Sequence, residues 1–276
     1  MKKQKRFTLL ADIIGVIVTV ILFLVPFYFM FVQSIKTKKE ASRLSISWPT
    51  EIHFENYIEV IKYNNFQLIK AFKNSAILTI FTVLGLLFTA AMAAYVIQRR
   101  RDKIMTAVQS VIMLGLMIPA SILPTIHLLQ TMHIYKTMFS MVMIEIALQT
   151  PFAIMLYRGY MASIPTELEE AAEIDGCNRW GIFTRIVFPL LKPIQATLII
   201  LVGVQTFNDF TNPLYFLPGA DNVTVQQTLY NYRSQVQSSF NLLFADIIII
   251  TIPMLILFLI FNKRIVDGMV AGSVKG

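Results

Sequence analysis

Residues 9–32 read LLADIIGVIVTVILFLVPFYFMFV, a stretch of 24 residues in which Asp12 is the only charged side chain. A helix that crosses a bilayer needs about 20 predominantly apolar residues, so this stretch predicts a membrane-spanning helix. Basic residues precede it, as they precede a secretory signal peptide. The apolar core of a signal peptide, however, spans only about 7–15 residues and leads into a small-residue cleavage site. We therefore predict that the segment stays in the protein as its first span.

Five further apolar runs follow along the chain, at residues 76–97, 104–129, 138–157, 193–212 and 242–261. Hydrophobic residues make up 56% of the chain and charged residues only 14%, whereas soluble domains carry about 25% charged residues. The sequence therefore predicts an all-α, polytopic membrane protein with six transmembrane helices in a single transmembrane domain over residues 1–276. Pro119, Pro124 and Pro253 lie inside these runs, where they predict kinks or interruptions.

The distribution of basic residues predicts which side of the membrane each loop faces. Fifteen of the 24 lysines and arginines fall at the two termini, after the second run and after the fourth run. Cytoplasmic loops carry an excess of lysine and arginine, so both termini are predicted to be cytoplasmic. Lys36, Lys38 and Lys39 follow the first run and oppose this rule. The membrane surface accounts for the net charge of +8, so we expect a lipid bilayer and no nucleic acid as partner.

The segment after the fourth run, residues 163–189, is hydrophilic but carries helix signals. It begins SIPTELEEAAEIDG, residues 163–176. Thr166 and Glu169 have the spacing of a capping box, and Gly176 suits the left-handed position that ends a helix. One short helix is expected over residues 167–175, and a second over residues 179–187 that ends before Pro189. We therefore predict two folded helices on the cytoplasmic face of the membrane.

The first of these helices has the surface of a docking element. Ala171 and Ala172 form a low-profile patch beside Leu168, and acidic residues flank the patch. Two interpretations are open: the helix seats in a groove of a partner protein, or it lies on the membrane surface. Its acidic charge favours the partner protein, since anionic lipid headgroups repel acidic side chains.

Several chemistries are not expected from this sequence. Cys177 is the only cysteine, so neither an intrachain disulfide nor a cysteine metal cluster is expected. His53, His127 and His133 lack metal-site spacing, and no GxxxxGK[ST] phosphate loop is present. A membrane-embedded enzyme would need a nucleophile–base pair or metal ligands at one depth. We therefore expect no cofactor, no metal and no catalytic residue, and any energy that the protein uses must come from a partner or an ion gradient.

Polar residues inside the apolar runs are candidates for a substrate path. Gln205, Asn208 and Asp209 lie near the outer end of the fifth run, and their amide and carboxylate groups suit sugar hydroxyls. The alternative is that the helix simply meets water there. Glu145 in the fourth run is ionisable at membrane depth, where such residues are functional or paired within the bundle. An ion-coupled secondary transporter would use such a residue, but it also predicts paired broken helices in internal repeats, which are not visible.

One pattern of fixed spacing resembles a known family. It consists of Glu170-Ala171-Ala172, then Gly176 after three residues, Ile186 after nine more, and Phe188-Pro189. This pattern is similar to the EAA motif of binding-protein-dependent ABC importer permeases, in which a leucine usually precedes the proline. Further landmarks extend the resemblance over nearly the whole chain: Asn56-Tyr57, Asn74-Ser75, Ala93-Ala94-Tyr95, Ile118-Pro119, Ile164-Pro165 and Asn208-Asp209-Phe210. The C-terminal tail is most similar to the maltose-type, six-span subunits of the carbohydrate branch.

The resemblance implies a fold, an assembly and a function. The fold is that of a type I ABC importer permease in the bacterial cytoplasmic membrane. The partners are a paralogous permease subunit, two ATP-binding ABC subunits and an extracytoplasmic solute-binding protein. The function is that of the transmembrane channel subunit of an ATP-driven sugar importer, specifically for oligosaccharides. Substrate would move by alternating access, driven by the separate ATPase pair through a cytoplasmic coupling helix.

The resemblance also implies roles for individual residues. The residues expected to dock onto the ATPase are Glu170, Ala171, Ala172, Asp175, Gly176, Ile186 and Pro189. The tail residues Gly272, Lys275 and Gly276 are expected to contact the ATPases as well.

Overall fold

The computed structural model describes the backbone of residues 2–100, 102–233 and 238–273 and, within these ranges, the side chains of residues 12–260. The regular elements of the described ranges are all helical, as predicted. They are α1 (Lys2–Ser34), α2 (Lys38–Ala41), α3 (Glu55–Arg99), α4 (Lys103–Leu114), α5 (Ile122–Thr131), α6 (Met138–Met161), α7 (Glu167–Ile174), α8 (Arg179–Ile182), a π-helical turn (Phe183–Val187), α9 (Phe188–Leu190), α10 (Lys192–Phe207), α11 (Thr211–Phe216), α12 (Val225–Thr228), a 3-10 turn (Leu229–Tyr232) and α13 (Phe240–Ser273).

Four helical segments of the described residues are long and apolar enough to cross a membrane. They are Asp12–Ser34, Glu55–Arg99, Met138–Met161 and Phe240–Ile260. A fifth is counted if Arg179–Leu190 and Lys192–Phe207, which meet at an angle of 72°, form one bent span. The prediction of an all-helical, polytopic membrane protein is therefore confirmed, whereas six continuous spans are not found in the part of the chain that the structure describes.

The third apolar run differs most from its predicted helix. Instead of one helix over residues 104–129, α4 ends at Leu114 and α5 starts at Ile122. Pro119 lies in the break. It interrupts the helix because proline has no amide hydrogen and disfavours helical backbone at the residue before it. Pro124 lies in the first turn of α5, where amide groups have no intrahelical acceptor and proline is tolerated. The interruption expected at Pro119 is observed, while α13 continues past Pro253.

Two other predicted runs change at their ends. The second run lies inside α3, which starts at Glu55 and is broken by non-helical backbone from Tyr63 to Phe66. The fifth run was predicted to reach residue 212, but α10 ends at Phe207 and α11 starts at Thr211. The Asp209 side chain in this gap accepts the backbone amide of Thr211 at 2.8 Å. It satisfies an amide at the start of α11, which stabilises a new helix start rather than a continuation of α10.

The chain divides into two compact units. The first comprises Met1–Ile69 and Gln227–Pro253, and the second comprises Lys70–Gln226 and Met254–Gly276.

In the first unit, Asn56 joins three parts of the chain. Its Nδ2 donates to the carbonyls of Ser34 (2.8 Å) and Lys36 (2.9 Å), and Asn241 donates to its Oδ1 at 2.9 Å. Lys36 itself is buried, and its Nζ donates to the Ser45 carbonyl at 2.7 Å. This lysine, which opposes the rule for cytoplasmic loops, therefore stabilises the fold of its own segment.

In the second unit, α3, α6 and α10 pack around an apolar core that also holds the segment after α6. Buried members include Leu86, Ala90, Tyr157 and Leu198. Lipid tails are as apolar as these side chains, so close packing rather than removal from water stabilises the contact in the membrane. A Cβ atom on Gly85 would lie 2.5 Å from Cδ1 of Ile146, which shows how closely α3 approaches α6.

Candidate functional site

Helix α7 carries the acid-rich segment and ends as the sequence predicts. Gly176 has a φ of +84°, in the left-handed region. Its amide donates to the Glu173 carbonyl at 3.1 Å, and the Cys177 amide donates to the Ala172 carbonyl at 2.9 Å. These bonds satisfy carbonyl groups at the helix end, as a glycine cap does.

The start of α7 differs from the prediction. The Thr166 side chain makes no capping hydrogen bond, and its backbone is helical rather than extended, so the predicted capping box is wrong. The Glu169 carboxylate points to α3 instead. Arg99 donates to Oε1 from Nη2 (2.7 Å) and from Nε (2.8 Å), and the Tyr95 hydroxyl donates to Oε2 at 3.0 Å. The carboxylate thus gains an ion pair and two further donors, whereas a capping box would give it a single bond from the backbone amide of Thr166.

Arg99 also holds the chain that leads into α7. Its Nη2 lies 3.3 Å from the carbonyl oxygen of Ile164, to which it donates. The side chains of Arg99 and Glu169 are only 19% and 13% exposed. The end of α3 therefore fixes both the approach to α7 and its first turn through partly desolvated polar contacts.

The second short helix is longer than predicted. It starts at Arg179, where the Asn178 side chain accepts the Gly181 amide at 2.8 Å, and helical backbone continues to Leu190. The predicted end before Pro189 is therefore wrong. A π-helical turn, Phe183–Val187, precedes Pro189. Such turns change the hydrogen-bond register of a helix and accommodate local irregularities such as a proline without an amide hydrogen.

An aromatic cluster fixes this second helix to α3. The Phe183 ring lies 5.5 Å from Tyr95, 5.7 Å from Phe188, 6.0 Å from Trp180 and 6.2 Å from Phe88, measured between ring centroids. Tilted and edge-to-face pairs at these distances contribute about 0.5–1.5 kcal/mol each beyond the area they bury. The segment over residues 163–190 is therefore attached to α3 by polar contacts through α7 and by aromatic contacts through α8 and the π-helical turn that follows it.

The predicted docking residues divide by exposure. Those that are exposed are Glu170, Ala171, Asp175, Gly176 and Pro189. Ala172 is 7% exposed, and Ile186 is half-buried; both pack against the apolar core of the second unit. The low-profile patch expected at Ala171 and Ala172 is therefore represented at the surface by Ala171. Of the predicted tail contacts, Gly272 lies in α13, and Lys275 and Gly276 lie outside the described residues.

A cleft of about 580 Å³ opens between the end of α3 and the helices α7 and α8. Its lining includes Tyr95, Arg99, Glu170, Arg179 and Trp180. The cleft combines both signs of charge with aromatic surface beside the exposed part of α7. These features make the segment a candidate surface for a protein partner.

The predicted path residues meet at a different cavity. Glu145, Gln205, Asn208 and Asp209 all line a cavity of about 480 Å³ between α6, the end of α10 and the start of α11. The rest of its lining is Leu148, Gln149, Val204, Thr211 and Asn212.

The carboxyl groups of this cavity are held by neighbours. Glu145 is 2% exposed, and its Oε1 accepts from Asn212 Nδ2 at 3.0 Å. The same carboxyl contacts the side chains of Asp209 and Gln149. Asp209 Oδ1 accepts the backbone amides of Thr211 (2.8 Å) and Asn212 (3.2 Å). Glu145 is therefore paired within the bundle and is also part of the cavity wall.

Sequence reasoning missed four residues of these two sites. Arg99 was considered only for its charge and Tyr95 only as a family landmark, so neither was expected to bind Glu169. Gln149 could have been found, because it lies four residues after Glu145 on the same face of α6. Asn212 gave no signal, because it was placed in a continuing helix rather than at the start of α11.

Comparison with known proteins adds a family to this geometry. Residues 82–270 match the model of a family described as binding-protein-dependent transport system inner membrane component. The probable ABC transporter permease protein YurM of Bacillus subtilis (strain 168) is 33% identical over 253 residues, which cover 91% of this chain and 83% of YurM. The melibiose/raffinose/stachyose import permease protein MelC of the same organism is 32% identical over 278 residues, covering 100% of this chain and 98% of MelC.

A solved structure supports the fold. A chain of a bacterial ABC transporter involved in the import of the acidic polysaccharide alginate superposes with a TM-score of 0.80 at 20% sequence identity. The match covers 94% of this chain and 97% of that chain, so the two chains share a fold. The protein is a multi-pass inner membrane transport component and not itself an enzyme. By its match to the family model and its similarity to MelC along its whole length, this chain belongs to the binding-protein-dependent permeases of ABC transporters for carbohydrate uptake.

Proposed function

We propose that this chain is the transmembrane channel subunit of an ATP-driven oligosaccharide importer, and that α7 is its coupling helix. The observation that carries the proposal is the two-sided character of α7. Glu170 and Ala171 are exposed, while Ala172 packs into the core and Glu169 is bound to Arg99 at the end of α3. A helix held in this way presents a fixed surface to a partner.

The attachments of α7 give a path for mechanical coupling. A displacement of α7 by a pair of ATPase subunits passes to α3 through the Arg99–Glu169 pair. It passes to α10 through Arg179–Leu190, which meets Lys192–Phe207 at 72°. Such rigid-body motion is a common form of switching. Alternating access follows if the ATP-bound and ATP-free states favour different packings of the spans.

The docking surface proposed here consists of the exposed motif residues. Glu170 and Asp175 supply negative charge for complementary cations of the ATPase. Ala171 and Gly176 allow close approach, and Pro189 lies at the edge of the segment. Ala172 and Ile186 support this surface from within the core. The tail residues Gly272, Lys275 and Gly276 are proposed as a second contact with the ATPases.

The remaining features of the proposal concern topology and assembly. We place six spans in one permease domain, with α4 and α5 as an interrupted third span and both termini in the cytoplasm. A paralogous permease subunit completes the pore, and an extracytoplasmic solute-binding protein delivers the substrate. An oligosaccharide is proposed because MelC, which matches along the whole chain, is named for melibiose, raffinose and stachyose import.

Co-purification of the tagged chain with candidate ATPase and sister permease subunits tests the proposal. Glu170→Lys reverses a charge on the docking surface, and Gly176→Pro cannot keep the φ of +84° that ends α7. Both variants should lose the ATPase. Glu51→Lys is the control, since its side chain is 80% exposed and lies in the hydrophilic stretch before α3, and it should recover the ATPase like the wild type. Equal recovery of the ATPase with all variants, or with none including wild type, contradicts the assignment.

A further inference from the structure

The cavity of about 480 Å³ at the end of α10 is lined by carboxyl, carboxamide and aliphatic side chains. Its volume lies within the range of about 300–1,000 Å³ that small-molecule sites occupy. We propose that this cavity contacts an uncharged saccharide unit during import and rejects sugars that carry a carboxylate, such as uronates. This inference rests on the proposed function and adds a substrate class to it.

The hydrogen-bonding groups of the cavity match the hydroxyl groups of a sugar. Four carboxamides line it, from Gln149, Gln205, Asn208 and Asn212. Each carboxamide offers both donors and an acceptor, as a sugar hydroxyl does. The Gln205 side chain is exposed and has no hydrogen-bond partner within the described part of the chain, so it is available to a ligand.

Apolar groups complete the wall. Leu148 and Val204 lie in the same lining as the carboxamides. They present aliphatic surface that can pack against the C–H face of a sugar ring, as binding sites commonly combine apolar walls with a few placed polar groups. A cavity for a small ion would not need this combination of volume and apolar wall.

The charge of the cavity sets the discrimination. Glu145 and Asp209 contribute two carboxyl groups, and no lysine or arginine is among the described residues that line the cavity. These carboxyl groups are the only ionisable side chains of the described lining, so any charge that the cavity wall carries is negative. A uronate would meet this charge without a compensating cation, and such like-charge contacts strongly disfavour binding.

A cation is a weaker match to the same groups. Asp209 Oδ1 already accepts two backbone amides, and Glu145 Oε1 accepts from Asn212. Within the described residues no group of three or more His, Cys, Asp or Glu side chains could hold a metal ion. Of the carboxamides, Asn208 Oδ1 accepts from Gln226 at 2.8 Å, Asn212 donates to Glu145, and Gln149 contacts the same carboxyl. The Gln205 amide, rather than the two carboxyl groups, therefore provides the main free hydrogen-bonding capacity of the cavity.

Saturation-transfer NMR on the assembled importer in detergent, without the solute-binding protein, tests the inference. The probes are the neutral trisaccharides raffinose and maltotriose and the acidic trigalacturonate. We expect at least one neutral probe to bind at least about tenfold more tightly than trigalacturonate. In Glu145→Gln combined with Asp209→Asn, this ratio should fall below about threefold. Asp221→Asn, whose side chain is 94% exposed and outside the cavity lining, should leave the ratio unchanged.

A second variant protects the test against misfolding of the double variant. Gln205→Ala removes an exposed amide and should weaken neutral-probe binding at least threefold without changing assembly. Equal binding of trigalacturonate and the neutral probes to wild type, or displacement of a neutral probe by Ca²⁺ or by glucosamine, overturns the inference. An assembled complex that retains its ATPase but binds no saccharide overturns the inference alone. Failure to recover the ATPase overturns the proposed function as well.

Discussion

Arg99 and Glu169 lie 70 residues apart in the chain, yet two nitrogen atoms of the guanidinium group converge on one oxygen of the carboxylate, at 2.7 and 2.8 Å. The pair connects the last residue of α3 to the first turn of α7. Because both side chains are largely withdrawn from solvent, water cannot fully hydrate either charge if its partner is removed. The contact therefore depends on the register between α3 and the short helix α7, and we expect it to transmit force between them.

Arg99→Met should remove this connection while keeping an apolar stem in place. Loss of one partner of a largely buried pair leaves an uncompensated charge, and we expect a loss of about 3 kcal/mol in the free energy of unfolding. Thermal unfolding followed by tryptophan fluorescence measures this loss. In the assembled importer, ATP hydrolysis should continue with reduced transport per ATP.

Arg100→Met is the matched control for the Arg99 variant. Arg100 pairs with Asp102 at the surface, where the side chains are 57% and 39% exposed, so we expect a change below about 1 kcal/mol. The combined charge exchange of Arg99→Glu with Glu169→Arg should recover part of the lost stability. If the stability losses of Arg99→Glu and Glu169→Arg simply add in the double variant, the ion pair is not responsible for the stability that the single variants lose.

Gly176→Ala should destabilise the end of α7 through the backbone alone. A Cβ atom at this position meets no heavy atom within 4 Å, but φ is +84°. An L-residue held in the left-handed region costs roughly 1–2 kcal/mol, and we expect this loss in the thermal unfolding experiment. Gly159→Ala is the control, because Gly159 lies inside α6 and its Cβ would also meet nothing, so alanine should be neutral or slightly stabilising there. Equal losses at both positions would contradict the role of φ.

The parts of the fold that follow from local sequence could be predicted. The 9–32 and 138–157 runs lie within α1 and α6, because apolar length alone identifies a spanning helix. The glycine end of α7 is equally local, since Gly176 needs only its own backbone to adopt a positive φ. Pro119 also predicted a break in the third run, though not how many residues the break would occupy.

The contacts between distant residues could not be predicted. The Glu169 carboxylate had a plausible local hydrogen-bond partner, the backbone amide of Thr166. A stronger partner, Arg99, becomes available only because α7 packs beside the end of α3. The cavity shows the same limit. Its two carboxyl residues and Gln205 could be proposed from polarity at membrane depth, whereas Asn212 reaches Glu145 because α11 starts as a separate helix.

Gly85→Ala tests the close contact between α3 and α6. Its Cβ would lie 2.5 Å from Cδ1 of Ile146, so that side chain must move. Overpacking of this kind costs about 1–3 kcal/mol, and we expect the lower end because Cδ1 is the flexible end of its side chain. Adding Ile146→Val removes Cδ1 and should restore most of the stability. Gly203→Ala is the control, since its nearest contact would be Thr79 Cγ2 at an ordinary 3.8 Å. A loss that Ile146→Val does not reduce would place the strain elsewhere.

Asn74→Ala should loosen the loop that follows α11. Asn74 Nδ2 donates to the carbonyls of Asp221 (2.8 Å) and Val223 (3.0 Å), so one side chain holds two carbonyl groups of a loop about 150 residues further along the chain. Each bond contributes about 0.5–1.5 kcal/mol, and the expected result is faster amide hydrogen exchange over residues 217–226 at an unchanged rate in α6. Asn222→Ala is the matched control, because its amide makes one weak contact, 3.5 Å from the Lys136 carbonyl, and its removal should leave exchange nearly unchanged. Uniform acceleration over the whole chain with Asn74→Ala would instead indicate global destabilisation, and the local role of the side chain would be rejected.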